Sequence, residues 1–250
     1  MKIRKLKYIT CLVLLAFIFT SIPAIAAVKS NDFKSQFTYE DYLEQVELGY
    51  IAEDVSYEQL VELNKRASEK LQSQLDNDSM FTMIYTSDSF DMNSEDFTRA
   101  VSTLKPGDVF TMNSVASYGL SGHAALVISN NEILNIAGPS ETTKFLTKSQ
   151  FNSLYGGRNI TLYRPNIATW GVEAATWADN EYRNNPASYQ LGMDLVSTRP
   201  TYCSKIVYQA YRFGVGTESL LRIENYNLVH PQWLHEHVKI YDQGTYSTGV

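Results

Sequence analysis

Gly122-His123-Ala124-Ala125-Leu126-Val127-Ile128-Ser129-Asn130-Asn131-Glu132-Ile133-Leu134-Asn135-Ile136-Ala137 is two apolar runs joined by a pair of asparagines. Short runs rich in Val, Ile and Leu and bounded by turn residues read as strands, and Asn tolerates the positive φ of a tight turn. The stretch therefore predicts a β-hairpin over His123–Ile128 and Glu132–Ala137. Folding back at Asn130-Asn131 returns residue 135 to the neighbourhood of residue 123. A histidine and an asparagine, each breaking an apolar strand, are thus expected side by side.

Working outward, Gly107–Met112 and Asn159–Arg164 have the same strand character. Lys105-Pro106-Gly107 ends a shorter helix expected after the cap Ser94-Glu95-Asp96-Phe97, and Asp108 is expected to fix the turn into the first strand. Helical periodicity returns at about Ile167–Tyr182, with Trp170, Ala174, Trp177 and Ala178 on one face. It recurs at Cys203–Phe213, which Gly214 and Gly216 end. Pro231 suits the first turn of a short helix, and Val238–Tyr241 reads as an edge strand. Before all of these, residues 28–79 are polar and helical in pattern, with Thr38 ahead of one acidic run and Ser56-Tyr57-Glu58-Gln59 as a capping box. An arm packed on the catalytic part is the expected role of that segment, ahead of a removable pro-segment.

Lys2, Arg4, Lys5 and Lys7 precede an apolar run to Ile22 and the small residues Ala24 and Ala26, the pattern of a cleaved secretory signal. Its removal would leave 17 basic against 27 acidic residues, a balance of −10 where the whole chain has −6. That charge disfavours nucleic acid and anionic lipid as partners, and no stable membrane insertion is expected after cleavage. Cys11 would leave with the signal, so Cys203 would remain as the one thiol and no internal disulfide would form. The expected domains are a signal at 1–26, a helical segment at 27–93 and a catalytic domain at 94–250, in a protein secreted or associated with the cell wall.

Cys203 stands where an extended stretch after Pro200 gives way to a helix, and free amides at a helix start favour a thiolate. Such a nucleophile needs an imidazole. Of the four histidines, His230, His235 and His237 lie among polar residues near the C-terminus, and the HEH spacing splits its two rings between faces. His123, after the small Gly122, is the better base, with Asn135 to orient it. Tyr202 and Tyr118 are candidates to line the cleft, and the amide of Cys203 is the natural oxyanion donor.

Lys105-Pro106-Gly107-Asp108-Val109, Gly122–Ile128, Glu132–Asn135 and Tyr202-Cys203-Ser204-Lys205-Ile206-Val207-Tyr208-Gln209-Ala210-Tyr211 together resemble the permuted papain-like, NlpC-type cysteine hydrolases of the YiiX kind. The resemblance covers about residues 104–240. It implies an α+β, circularly permuted papain-like fold, an antiparallel sheet packed against helices, in which the His-bearing strand precedes the Cys-bearing helix. It also implies Cys203 as nucleophile, His123 as base and Asn135 as orienter, with Asn a departure from the acidic residue seen in many relatives. No cofactor or metal is expected. The expected reaction is hydrolysis of a peptide or amide substrate, with cell-wall peptidoglycan as the named instance, through an acyl-enzyme. The alternatives are a lipid acyl hydrolase or acyltransferase with the same site, and a non-catalytic secreted binding protein.

Overall fold

The computed structural model describes residues 37–77, 104–116, 119–156 and 158–247. The signal pattern at 1–26, the helix expected after Ser94 and Tyr118 lie outside the described residues. Within them the chain is α+β. Helices α1 (Tyr39–Glu47) and α2 (Tyr57–Asn77) lead to strands β1 (Val109–Ala116), β2 (Ser121–Ser129), β3 (Glu132–Asn135) and β4 (Lys144–Thr147). Helix α3 (Lys148–Tyr155), strand β5 (Asn159–Arg164) and helix α4 (Ala168–Tyr182) follow. Helix α5 (Cys203–Gln209) continues into a π-helical turn (Ala210–Val215), and short helix α6 (Leu234–His237) precedes strand β6 (Tyr241–Ser247). No helix among the described residues is long and apolar enough to cross a membrane.

The strands form one antiparallel sheet in the order β4-β3-β2-β1-β5-β6. Alternate residues of each central strand feed two cores. Val109, Ala124, Leu126 and Leu134 face α4, α5 and the N-terminal helices. Phe110, Met112, Ala125, Val127 and Ile133 face α3, where Phe151 stacks on Phe110 at 5.3 Å. Because both faces of β2 are covered, the strand reads as a continuous apolar run rather than an alternating one. The hairpin turn differs from its expected form. Neither Asn130 nor Asn131 takes a positive φ; a bulge between Val127 and Ser129 turns the chain, and the Ser129 hydroxyl accepts the Asn131 amide at 3.4 Å.

The N-terminal helices are stitched to this core. Thr38 and Asp41 form a reciprocal capping box on α1, and Ser56 and Gln59 do the same on α2. Phe37, Ile51, Val55 and Leu60 then bury themselves with the helix-side residues of the sheet, each contributing about 1.5–3 kcal/mol by leaving water. Asn64, fully buried, donates to Gly119 O at 2.9 Å and accepts the Ser121 amide at 2.5 Å. This polar clamp fixes the start of β2 two residues before His123. At the other end of β1, Asp108 has the role expected of it: its carboxylate accepts the Lys105 amide at 2.8 Å and grips Arg164 through two 2.6 Å bonds.

Candidate active site

Strands β2 and β3 pair with Leu126 opposite Leu134. That register puts Asn135 opposite residue 125 and makes His123 its diagonal neighbour on the same face, within reach of long side chains. Their contact is direct: His123 Nε2 lies 2.6 Å from Asn135 Oδ1. Both residues share the strand parity of Ala125 and Ile133, so they look toward α3. There the Tyr155 ring stacks on the imidazole, with centroids 5.1 Å apart and planes tilted by 20°. The Tyr155 hydroxyl is 3.2 Å from His123 Nε2 and donates to Asn135 Oδ1 at 3.2 Å.

Gly122 allows this placement. Its φ of +90° belongs to the left-handed region, and a Cβ there would lie 2.9 Å from Met112 O and 3.5 Å from Gln232 Nε2. The small residue ahead of His123 thus permits close approach of a neighbouring strand and of residue 232. His123 itself is 1% exposed. Burial pushes its pKa down to about 4; the Asn135 bond opposes the fall and the Arg158 charge adds to it.

Cys203 comes from the other side of the sheet, at the first residue of α5. Tyr202 ahead of it is extended, with φ −145° and ψ 168°, and offers no side-chain cap. The amides of Cys203 and Ser204 are therefore left to the sulfur, together with the backbone amide of Ala124. Ala124 is the residue after His123, and beyond the Leu126–Leu134 pair its amide is turned to the thiol. The sulfur thus meets the backbone of β2 from the face opposite the one on which His123, Asn135 and Tyr155 are joined.

The electrostatics differ from the expected helix-start thiolate. The amides do point at the sulfur, but Cys203 is 6% exposed and burial pushes its thiol up more than they draw it down. With the imidazole depressed as well, thiol and imidazole are each neutral at neutral pH.

The other candidates are placed differently. Tyr202 is fully buried, and its hydroxyl accepts the Val229 amide at 3.1 Å while Ser204 Oγ donates to Val229 O at 2.6 Å. It anchors the 228–230 stretch under α5 and presents no open surface to a substrate. His230, also fully buried, has Nε2 3.4 Å from Ser121 Oγ and accepts the Gln232 amide on Nδ1 at 3.3 Å; burial pushes its pKa down to about 3. His235 stacks on Tyr163, and His237 faces Glu224 at 3.4 Å. Among the described residues no group of three or more His, Cys, Asp or Glu is placed to hold a metal. Sequence reasoning missed Tyr155 and Arg158; the apolar spacing of Phe151 and Tyr155 at i and i+4 was the available signal.

Comparison with known proteins adds a family. The sequence model of a family described as lipoprotein N-acylation protein LnsA-like matches residues 78–237. An uncharacterized 30.3 kDa protein of Bacillus thuringiensis is 33% identical over 130 residues, which are 48% of this chain and 48% of that protein. The chain thus spans about half the length of the curated relative it matches. No solved structure matches.

Proposed function

Since the chain belongs to the LnsA-like lipoprotein N-acylation family, within the papain-like group of cysteine hydrolase-like proteins, we propose that it is a thiol acyltransferase that takes an acyl group from a lipid ester and delivers it to an amine. The observation that carries this reading is the thiol of Cys203 held at the amide of Ala124, the residue that follows His123 in the strand, while His123 is tied to Asn135. His123 receives the thiol proton as the sulfur attacks the ester carbonyl, the amides around Cys203 face the developing oxyanion, and the departing alcohol takes that proton. The thioester is then attacked by an amine, which gives its proton to His123. The amide product leaves and His123 returns the proton to the sulfur. With water in place of the amine the same site is a hydrolase.

The family description favours a lipid acyl donor over the cell-wall peptide expected from the sequence, although an amide carbonyl would be opened by the same steps. Export of the protein, motivated by residues 1–26, belongs to this proposal. The test is to incubate the full chain with phosphatidylcholine or phosphatidylethanolamine vesicles and a diacylated lipopeptide with a free N-terminal amine. Mass spectrometry should find an acyl group on Cys203 and on the peptide amine, both lost in Cys203→Ala. Absence of acyl-Cys203 from the native chain defeats the proposal, and Cys203-dependent amine termini from purified wall peptides would replace the lipid donor with an amide.

A further inference from the structure

The hydrogen-bond count around His123 contains one more member than a thiol, a base and an orienter require. Asn135 Oδ1 carries no proton, so at 2.6 Å the proton in that contact belongs to His123 Nε2. The Tyr155 proton is also directed to Oδ1. What remains toward Nε2, 3.2 Å away, is a phenolic lone pair. The Nε2 proton is therefore shared between two oxygens, and Nδ1 is left as the nitrogen with a free lone pair. The opposite orientation of the amide would donate to Nε2 and leave the proton on Nδ1.

We propose that Tyr155 is a positioning residue: its hydroxyl closes a ring of hydrogen bonds with His123 Nε2 and Asn135 Oδ1 that fixes the Nε2–H tautomer and gives the imidazolium a second oxygen acceptor. The assignment of the tautomer stands on geometry alone, whereas its consequence for turnover rests on the reading of Cys203 as nucleophile. The need is physical. Asn135 has no charge to offset the imidazolium, and the Arg158 guanidinium disfavours it further. A phenol that is 7% exposed, pushed up to about 12 by burial against the smaller lowering effect of its Asn135 bond, stays protonated at every working pH and so keeps its proton on Oδ1. The groups facing the imidazole are thus Asn135 from β3, Tyr155 from α3 and Arg158 just beyond it, and none of them is a carboxylate. Ring stacking adds orientation, since the plane of the imidazole is held within 20° of that of a phenol that also packs on Phe151.

The test uses the full chain labelled with ¹⁵N-histidine, in native, Tyr155→Phe, Asn135→Asp and doubly substituted forms. Phe keeps the stacked ring and removes both hydroxyl contacts; thermal melting identifies any variant that does not fold. At neutral pH the native ring nitrogens should report a single Nε2–H tautomer, and Tyr155→Phe a mixture. Acyl transfer by Tyr155→Phe should fall about tenfold in kcat/KM, the size expected for one hydrogen bond to a charged group. The same substitution should cost less than about twofold in the Asn135→Asp background, where a carboxylate offsets the imidazolium charge by itself. A native ring protonated on Nδ1, or a Tyr155→Phe protein that retains one tautomer, overturns the inference. So does a loss of activity that Asn135→Asp does not relieve, which is the mark of a merely structural tyrosine. If the native chain shows no acyl chemistry while the tautomer change appears, the positioning role stands and the acyltransferase reading falls.

Discussion

Replacing Asn135 by Asp tests the electrostatic account of this site directly. The substitution preserves shape and puts a negative charge where Oδ1 now sits, 2.6 Å from His123 Nε2. With charge centres about 4 Å apart and an effective dielectric constant of about 20, the pair gains about 4 kcal/mol when the imidazole is protonated, or about three pKa units. The carboxylate would not be left unpaired, because the Nε2 proton and the Tyr155 hydroxyl both already point at that position. Some of the gain is lost to burying a second charge. His123 should therefore rise from about 4 to between about 6 and 7. NMR titration of the His123 ring protons in the native and Asn135→Asp chains measures this. In parallel, alkylation of Cys203 by iodoacetamide near pH 7 should accelerate, because the ion pair becomes accessible. A His123 titration within about half a unit of the native one, or a substituted carboxyl that itself stays protonated to neutral pH, refutes the reasoning.

The remaining predictions concern stability. His123 and His230 titrate at about 4 and about 3 when folded but near 6.5 when unfolded, so the unfolded chain takes up their protons first. Stability should be full above pH 6.5 and fall as pH drops toward these folded values, by about 3 kcal/mol from about pH 6.5 to 5 for the pair; urea midpoints that stay flat over that range contradict it. Arg164→Ala strands the Asp108 carboxylate, which has no exposed side-chain surface, and should cost about 3–5 kcal/mol in urea melts. Joint replacement by Asp108→Asn and Arg164→Met should recover much of that loss, and a single-variant cost below about 1 kcal/mol shows that the pair matters little.

The hairpin carrying His123 and Asn135 was readable because its two apolar runs have fixed lengths around a polar turn, and a strand period of two then places every side chain. The helix starting at Cys203 and the one ending at Tyr182 were readable from their apolar faces. Strand β4 and helix α3 were not, since Lys144–Thr147 is a four-residue edge with half its side chains exposed and α3 is only two turns long. Tyr155 was hidden with them. The last strand lies three residues later than its apolar signal, because Val238 and Ile240 fill the core while the polar Tyr241–Ser247 supplies the ladder. The state of the thiol was illegible for a different reason: helix position announces the favourable amides, whereas the burial that outweighs them depends on the sheet and on α5 together.

Helix α4 runs between two bare stretches of backbone. On one side a Cβ at Gly107 would collide with the Cα of Gly171, and on the other a Cβ at Gly214 would lie 2.7 Å from Glu173 O. Tyr211 spans the same gap by donating to Gly107 O at 2.6 Å. The distance between the sheet and the helix that carries the thiol is therefore set by peptide thickness, a length no choice of side chain can tune. Any methyl group added at 107, 171 or 214 acts as a shim, and the misalignment it introduces is transmitted along α5 to its first residue.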